Sequence, residues 1–123
     1  EIDRQKREAA ADVIDIGKLS RQLRSQSMQQ RVDAAKALAG AGADAAEALA
    51  YAIETDPIID VREAATDSLR RMGAGARKAL PALNRYIRSI PVPDPRGGIE
   101  VMKLEVRESD MRRDILGIIN KLK

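Results

Sequence analysis

Apolar residues recur at three- and four-residue spacing along most of the chain, the pattern of helices with one buried face. Over 61–72, Val61, Ala64, Ala65, Ser68, Leu69 and Met72 mark such a face. Asp60 is predicted as its N-cap, with Glu63 completing a capping box. Gly73 and Gly75 then end the helix by tolerating a left-handed backbone. Leu80, Leu83, Ile87 and Ile90 form the stripe of a second helix, with Ala79 and Tyr86 beside it. Pro81 fits there only near the first turn, where its missing N–H costs little. The predicted buried set is Leu38, Leu49, Leu69, Leu80, Leu83, Ile87 and Ile115.

The helix pair repeats. A shift of 31 residues aligns Arg31 with Arg62, Leu38 with Leu69, Gly42 with Gly73 and Leu49 with Leu80, among eight identities over positions 31–49. One such unit cannot bury its apolar face alone, so a repeat architecture is expected. A degenerate copy opens the chain, where residues 7–14 match 62–69 at five of eight positions, followed by Leu19 and Leu23 on a short second helix ending before Ser25. Near the end, Met111, Ile115, Ile118, Ile119 and Leu122 match Val61, Ala65, Ser68, Leu69 and Met72 at a shift of 50. The chain thus divides into a degenerate first repeat (1–26), two repeats (27–56 and 57–90), an inserted loop (91–109) and a terminal helix (110–123). Three prolines and two glycines within 91–98 exclude a helix there. Residues 99–109 read either as a strand, from the alternation at Ile99, Val101, Lys103 and Glu105, or as an extension of the last helix. Because the chain opens on Glu1, it is expected to be a processed product or a piece of a longer array.

Composition narrows the chemistry. The 123 residues hold no His, Cys, Trp or Phe, and 20 Ala. That excludes cysteine–histidine zinc sites, disulfides, catalytic triads built on histidine, and aromatic platforms for stacked bases. No stretch approaches the roughly 18 apolar residues of a membrane span. The lack of cysteine suits a reducing cytosol and a periplasm without disulfides alike. No catalytic, cofactor-binding or metal-binding residue is expected, and a monomer is.

The net charge of +3 hides two opposed blocks. Residues 33–67 carry eight acids against Lys36 and Arg62; residues 68–93 carry six cations and no acid. The acids at Asp56 and Asp60 fall at turn and cap positions, where acids are expected for local reasons. On a helical projection of roughly 100° per residue, Arg77, Lys78, Arg85 and Arg88 cluster opposite Leu80, Leu83 and Ile87, with no acid interleaved for pairing. Together with Arg70 they are the candidate partner-binding residues, suited to an acidic protein or peptide. Nucleic acid bound through its phosphates is the alternative.

Residues 60–83, with Asp-Val-Arg-Glu-Ala-Ala, Leu69, Gly73, Ala76, Ala79-Leu80-Pro81 and Leu83, resemble a HEAT-like repeat of the phycobilisome-lyase type. Residues 31–53 fit with substitutions, since Ala50 stands where the family pattern has proline. The resemblance implies an all-α protein, a right-handed α-solenoid of stacked antiparallel helix pairs, whose second helices line a concave groove. It implies that Arg31 and Arg62 form a ladder to acids or carbonyls of adjacent repeats. It implies no activity, because such folds carry scaffolds, lyase subunits and DNA glycosylases alike. The glycosylases use tryptophans that this chain lacks. The expectation is a non-enzymatic interaction module that binds an acidic protein or peptide through its concave face, with an accessory lyase subunit as a further alternative.

Overall fold

The computed structural model describes residues 16–89 and 98–122, and every regular element in them is helical. The elements are α1 (Ile16–Gln22), α2 (Met28–Ala37), α3 (Ala46–Thr55), α4 (Ile59–Met72), α5 (Leu80–Arg88) and α6 (Ile99–Leu122). Tighter 3₁₀ segments, Leu38–Ala45 and Gly73–Ala79, join α2 to α3 and α4 to α5. The helix expected over 7–14, Ile90 of the second stripe, and the proline-rich 91–97 lie outside the described residues.

Local chemistry sets most boundaries. The Ser27 hydroxyl accepts the Gln30 N–H at 3.3 Å and caps α2. After Met72, Gly73 turns the chain at φ 59°, a conformation that side-chain-bearing residues rarely adopt. Pro81 sits in the first turn of α5, as its chemistry requires. The cap predicted at Asp60 is not what forms. Helix α4 begins earlier, with Ile58 at the cap position and no side chain serving it. Asp56, in an extended conformation, accepts the Ile58 N–H at 2.9 Å instead. Asp60 and Glu63 are thereby released, and both bind Arg107 of α6.

The helices pack in two sets. Helix α4 lies on α2 and α6 lies on α4; α5 lies on α3; α1 rests on α2 and the first 3₁₀ segment. Alanines permit close approach: Ala35, Ala46, Ala65, Ala76 and Ala79 are fully enclosed. Across the α2–α4 contact, the buried Ser68 hydroxyl donates to the Ala35 carbonyl. Leu38, Leu49, Leu69, Leu83 and Ile115 are completely buried, as the periodicity predicts. Leu80 and Ile87 are only half-buried against the edge of this core, because they occupy the first and last turns of the nine-residue α5.

The interval predicted as a loop over 91–109 is helical from Ile99, so its second half is the first part of α6. Charge pairs hold it there. Arg107 meets the first turn of α4, and Glu108 accepts from Arg62 at 2.9 Å. Helices α4 and α6 run in the same direction, so the residues before Arg107 extend past the start of α4. There Ile99, Met102, Leu104 and Val106 stay exposed.

Candidate functional site

The five candidate cations do not form one stripe. Arg77 and Lys78 belong to the 3₁₀ segment, which has about three residues per turn, so a projection at α-helical pitch fails across Ala79. Arg85 and Arg88 lie on the exposed side of α5. Arg85 is committed: its Nε and a terminal nitrogen reach Glu54 of α3 at 3.1 and 2.9 Å. These bonds, and the charge of Glu54, raise the guanidinium pKa further. Arg88 donates to the Asn84 carbonyl at 3.4 Å. Arg70 pairs with Asp67 one turn back on α4, and Arg71 shares that carboxylate at 3.0 Å. The acids missing from 68–93 are thus supplied across the fold and from the preceding turn.

Arg70 and Arg77 line a groove of about 380 Å³ that the sequence did not suggest. Its walls are the end of α4, the second 3₁₀ segment as far as Arg77, and the second half of α6. Arg113 and Lys121 of α6 complete a rim of four cations around Gly73, Ala74, Gly117, Ile118 and Leu122; Asp114 is the one carboxylate lining it. Among the described residues, Arg77, Lys121 and Asp114 enter no ion pair. Arg113 pairs only with Asp110 on its own helix, at 3.0 Å and well exposed. Gly117 is a clue in itself. It lies exposed within α6, and a β-carbon there would meet nothing within 4 Å. Gly117→Ala is therefore expected to stabilise the fold by about 0.5–1 kcal/mol, the helix preference of alanine over glycine. Thermal unfolding followed by circular dichroism reads this directly, and a destabilised variant would mean the glycine has a packing role.

The arginine ladder is present and longer than expected. Arg31 donates to the Ser25 carbonyl at 2.8 Å and to Asp56 Oδ2 at 2.9 Å. Arg62 donates to the Asp56 carbonyl at 2.8 Å and to Glu108. Arg112 repeats the pattern, donating to the Ile87 carbonyl at 3.2 Å and to that of Ser89. The acceptors Ser25, Asp56 and Ile87 are spaced by 31, and the donors Arg31, Arg62 and Arg112 by 31 and then 50. Arg112 was legible in the shift of 50 that pairs Met111 with Val61, since Arg62 is the next position along.

Around the last rungs, Tyr86 is buried, with Arg112 stacked over its ring at 4.9 Å. Its hydroxyl donates to Glu108. Burial, followed by that hydrogen bond to a carboxylate, pushes the phenol up to about 12. An unfolded tyrosine titrates near 10. The folded state therefore holds its proton more tightly than the unfolded one. This contribution is whole below about pH 10 and is lost as pH rises towards about 12. Tyr86→Phe should flatten the fall in the urea midpoint across that window; an unchanged fall would assign it elsewhere.

Within the acidic block of 33–67, arginines take up Asp56 (Arg31), Glu54 (Arg85), and Asp60 and Glu63 (Arg107). Among the described residues no three carboxylates gather to hold a metal ion. No helix there is long and apolar enough to cross a membrane. No protein-family model, curated sequence or solved structure matches this chain.

Proposed function

We propose that the chain is a stretch of HEAT-like right-handed α-solenoid that works as a non-enzymatic interaction module for an acidic protein or peptide. The arginine rungs support the repeat reading: one hydrogen-bond pattern recurs three times at the spacing of the sequence repeat. The observation that carries the acidic partner is the gathering of Arg70, Arg77, Arg113 and Lys121 around a groove. An exposed cation cluster of this kind attracts and orients an anionic partner more than it stabilises the fold.

Fluorescence anisotropy with a labelled Glu/Leu-rich peptide, beside labelled duplex DNA, tests this reading. The peptide should bind with moderate salt dependence. DNA retained in preference to peptide, with affinity falling by orders of magnitude between roughly 50 and 200 mM salt, would replace the acidic partner with a phosphate backbone. A paired reversal of Arg4 and Lys6 supplies the control for net charge.

A further inference from the structure

We infer that the groove between the end of α4, the Gly73 turn and the second half of α6 is where an acidic peptide docks, with one apolar side chain on its floor and acidic neighbours on the Arg77–Lys121 rim. The inference rests on the interaction-module reading above and places its contact surface away from α5.

Three observations meet at this place. The first is charge without counterions. Arg77 and Lys121 enter no ion pair among the described residues, while Arg70 and Arg113 are held only by exposed acids on their own helices. Such exposed pairs contribute roughly 0–1 kcal/mol and exchange readily for a better-placed carboxylate. Helix C-termini favour nearby cations, which accounts for the order of charge along α4 and α6. It does not account for a cavity between them.

The second observation is the floor. Ala74, Ile118 and Leu122 supply the groove's apolar lining, backed by the completely buried Leu69. At about 380 Å³ the space admits one or two side chains and not a nucleic-acid duplex. An apolar bottom under a cationic rim selects a segment in which leucine or a similar residue stands beside Asp or Glu. A bare phosphate would leave the floor unfilled.

Gly117 is the third. An exposed glycine in the middle of a helix costs stability, and no neighbour occupies the space its β-carbon would fill. Its lack of a side chain opens the groove wall and lets another backbone or side chain approach α6 closely. Gly73 opposite has a separate reason to be glycine, its positive φ. Gly117 has no such backbone reason, since its φ is not positive.

The experiment is anisotropy with the labelled Glu/Leu-rich peptide, on the full chain, with circular dichroism confirming that each variant is folded. Arg77→Glu with Lys121→Glu should weaken binding by about tenfold or more, as reversed charges across an interface do. Arg85→Glu with Arg88→Glu, an equal change of charge, should leave it within about twofold, the scale of peripheral exposed pairs. Gly117→Trp, which blocks the groove without altering charge, should lose as much affinity as the first pair. Asp114→Asn should tighten binding by about twofold, the scale of one exposed charge pair. Gly117→Ala should melt higher and bind more weakly, a combination that a purely structural glycine would not give. If the α5 reversal abolishes binding and the groove variants do not, the groove is wrong and the interaction reading stands. If the wild-type chain binds no acidic peptide at all, both fall.

Discussion

Leu69→Ala should destabilise the fold by about 2–5 kcal/mol, the cost of removing a core side chain and leaving a cavity. Leu69 is completely buried, within one cluster that also contains Leu38, Leu49, Leu83 and Ile115. It stands on α4, the helix that packs on α2, α3 and α6. A void there lies among elements braced on every side, and backbone collapse can fill it only partly. The alanines around it, Ala35 and Ala65 among them, have no longer rotamer with which to reach inward. Urea unfolding of Leu69→Ala beside Leu116→Ala makes the comparison sharp, because Leu116 is nearly half exposed. A loss below roughly 0.5 kcal/mol, the range of surface changes, would mean that the apolar face of α4 has been misassigned.

That face was legible because helical periodicity is a local property, and Val61, Ala65, Leu69 and Met72 repeat it along the 14 residues of α4. The half-burial of Leu80 and Ile87 was not, since it depends on where α5 starts and stops. Its start is hidden by Gly73–Ala79, a run of small residues and two cations whose spacing suits a 3₁₀ turn as well as an α-helix. The cap at Asp60 was misread for a related reason. Asp56 and Asp60 both carry the chemistry of a cap, and what decides between them is Arg107, 47 residues away from Asp60. The same long-range pairing turns residues 99–109 into helix where alternation also suggested a strand. The repeat shift aligns Arg31 with Arg62, and the resemblance to HEAT-like repeats is what implied that they form a ladder. The groove was not legible in this way, because its rim comes from Arg70 and Arg77 on one side and Arg113 and Lys121 on the other, and no local pattern joins them.

The ladder supports a second large effect. Arg31→Ala is expected to cost about 3–5 kcal/mol, as breaking a largely buried ion pair by removing one member does. The Asp56 side chain keeps only 7% of its surface exposed and Arg31 only 15%, so water replaces little of what is lost. Without the guanidinium, the Asp56 carboxylate retains the Ile58 N–H and loses the cation that pairs with it among the described residues. The Ser25 carbonyl loses its donor in the same step. Arg113→Ala provides the contrast, because its pair with Asp110 is mostly exposed on both sides and should contribute no more than about 1 kcal/mol. The decisive measurement is a double-mutant cycle with Asp56→Asn. Removing the charge of Asp56 as well should recover much of the Arg31→Ala loss, since the remaining amide no longer carries an unpaired charge in a closed site. Strict additivity would show that the two side chains lie side by side without coupling. The rung would then be a by-product of helix stacking and not one of its determinants.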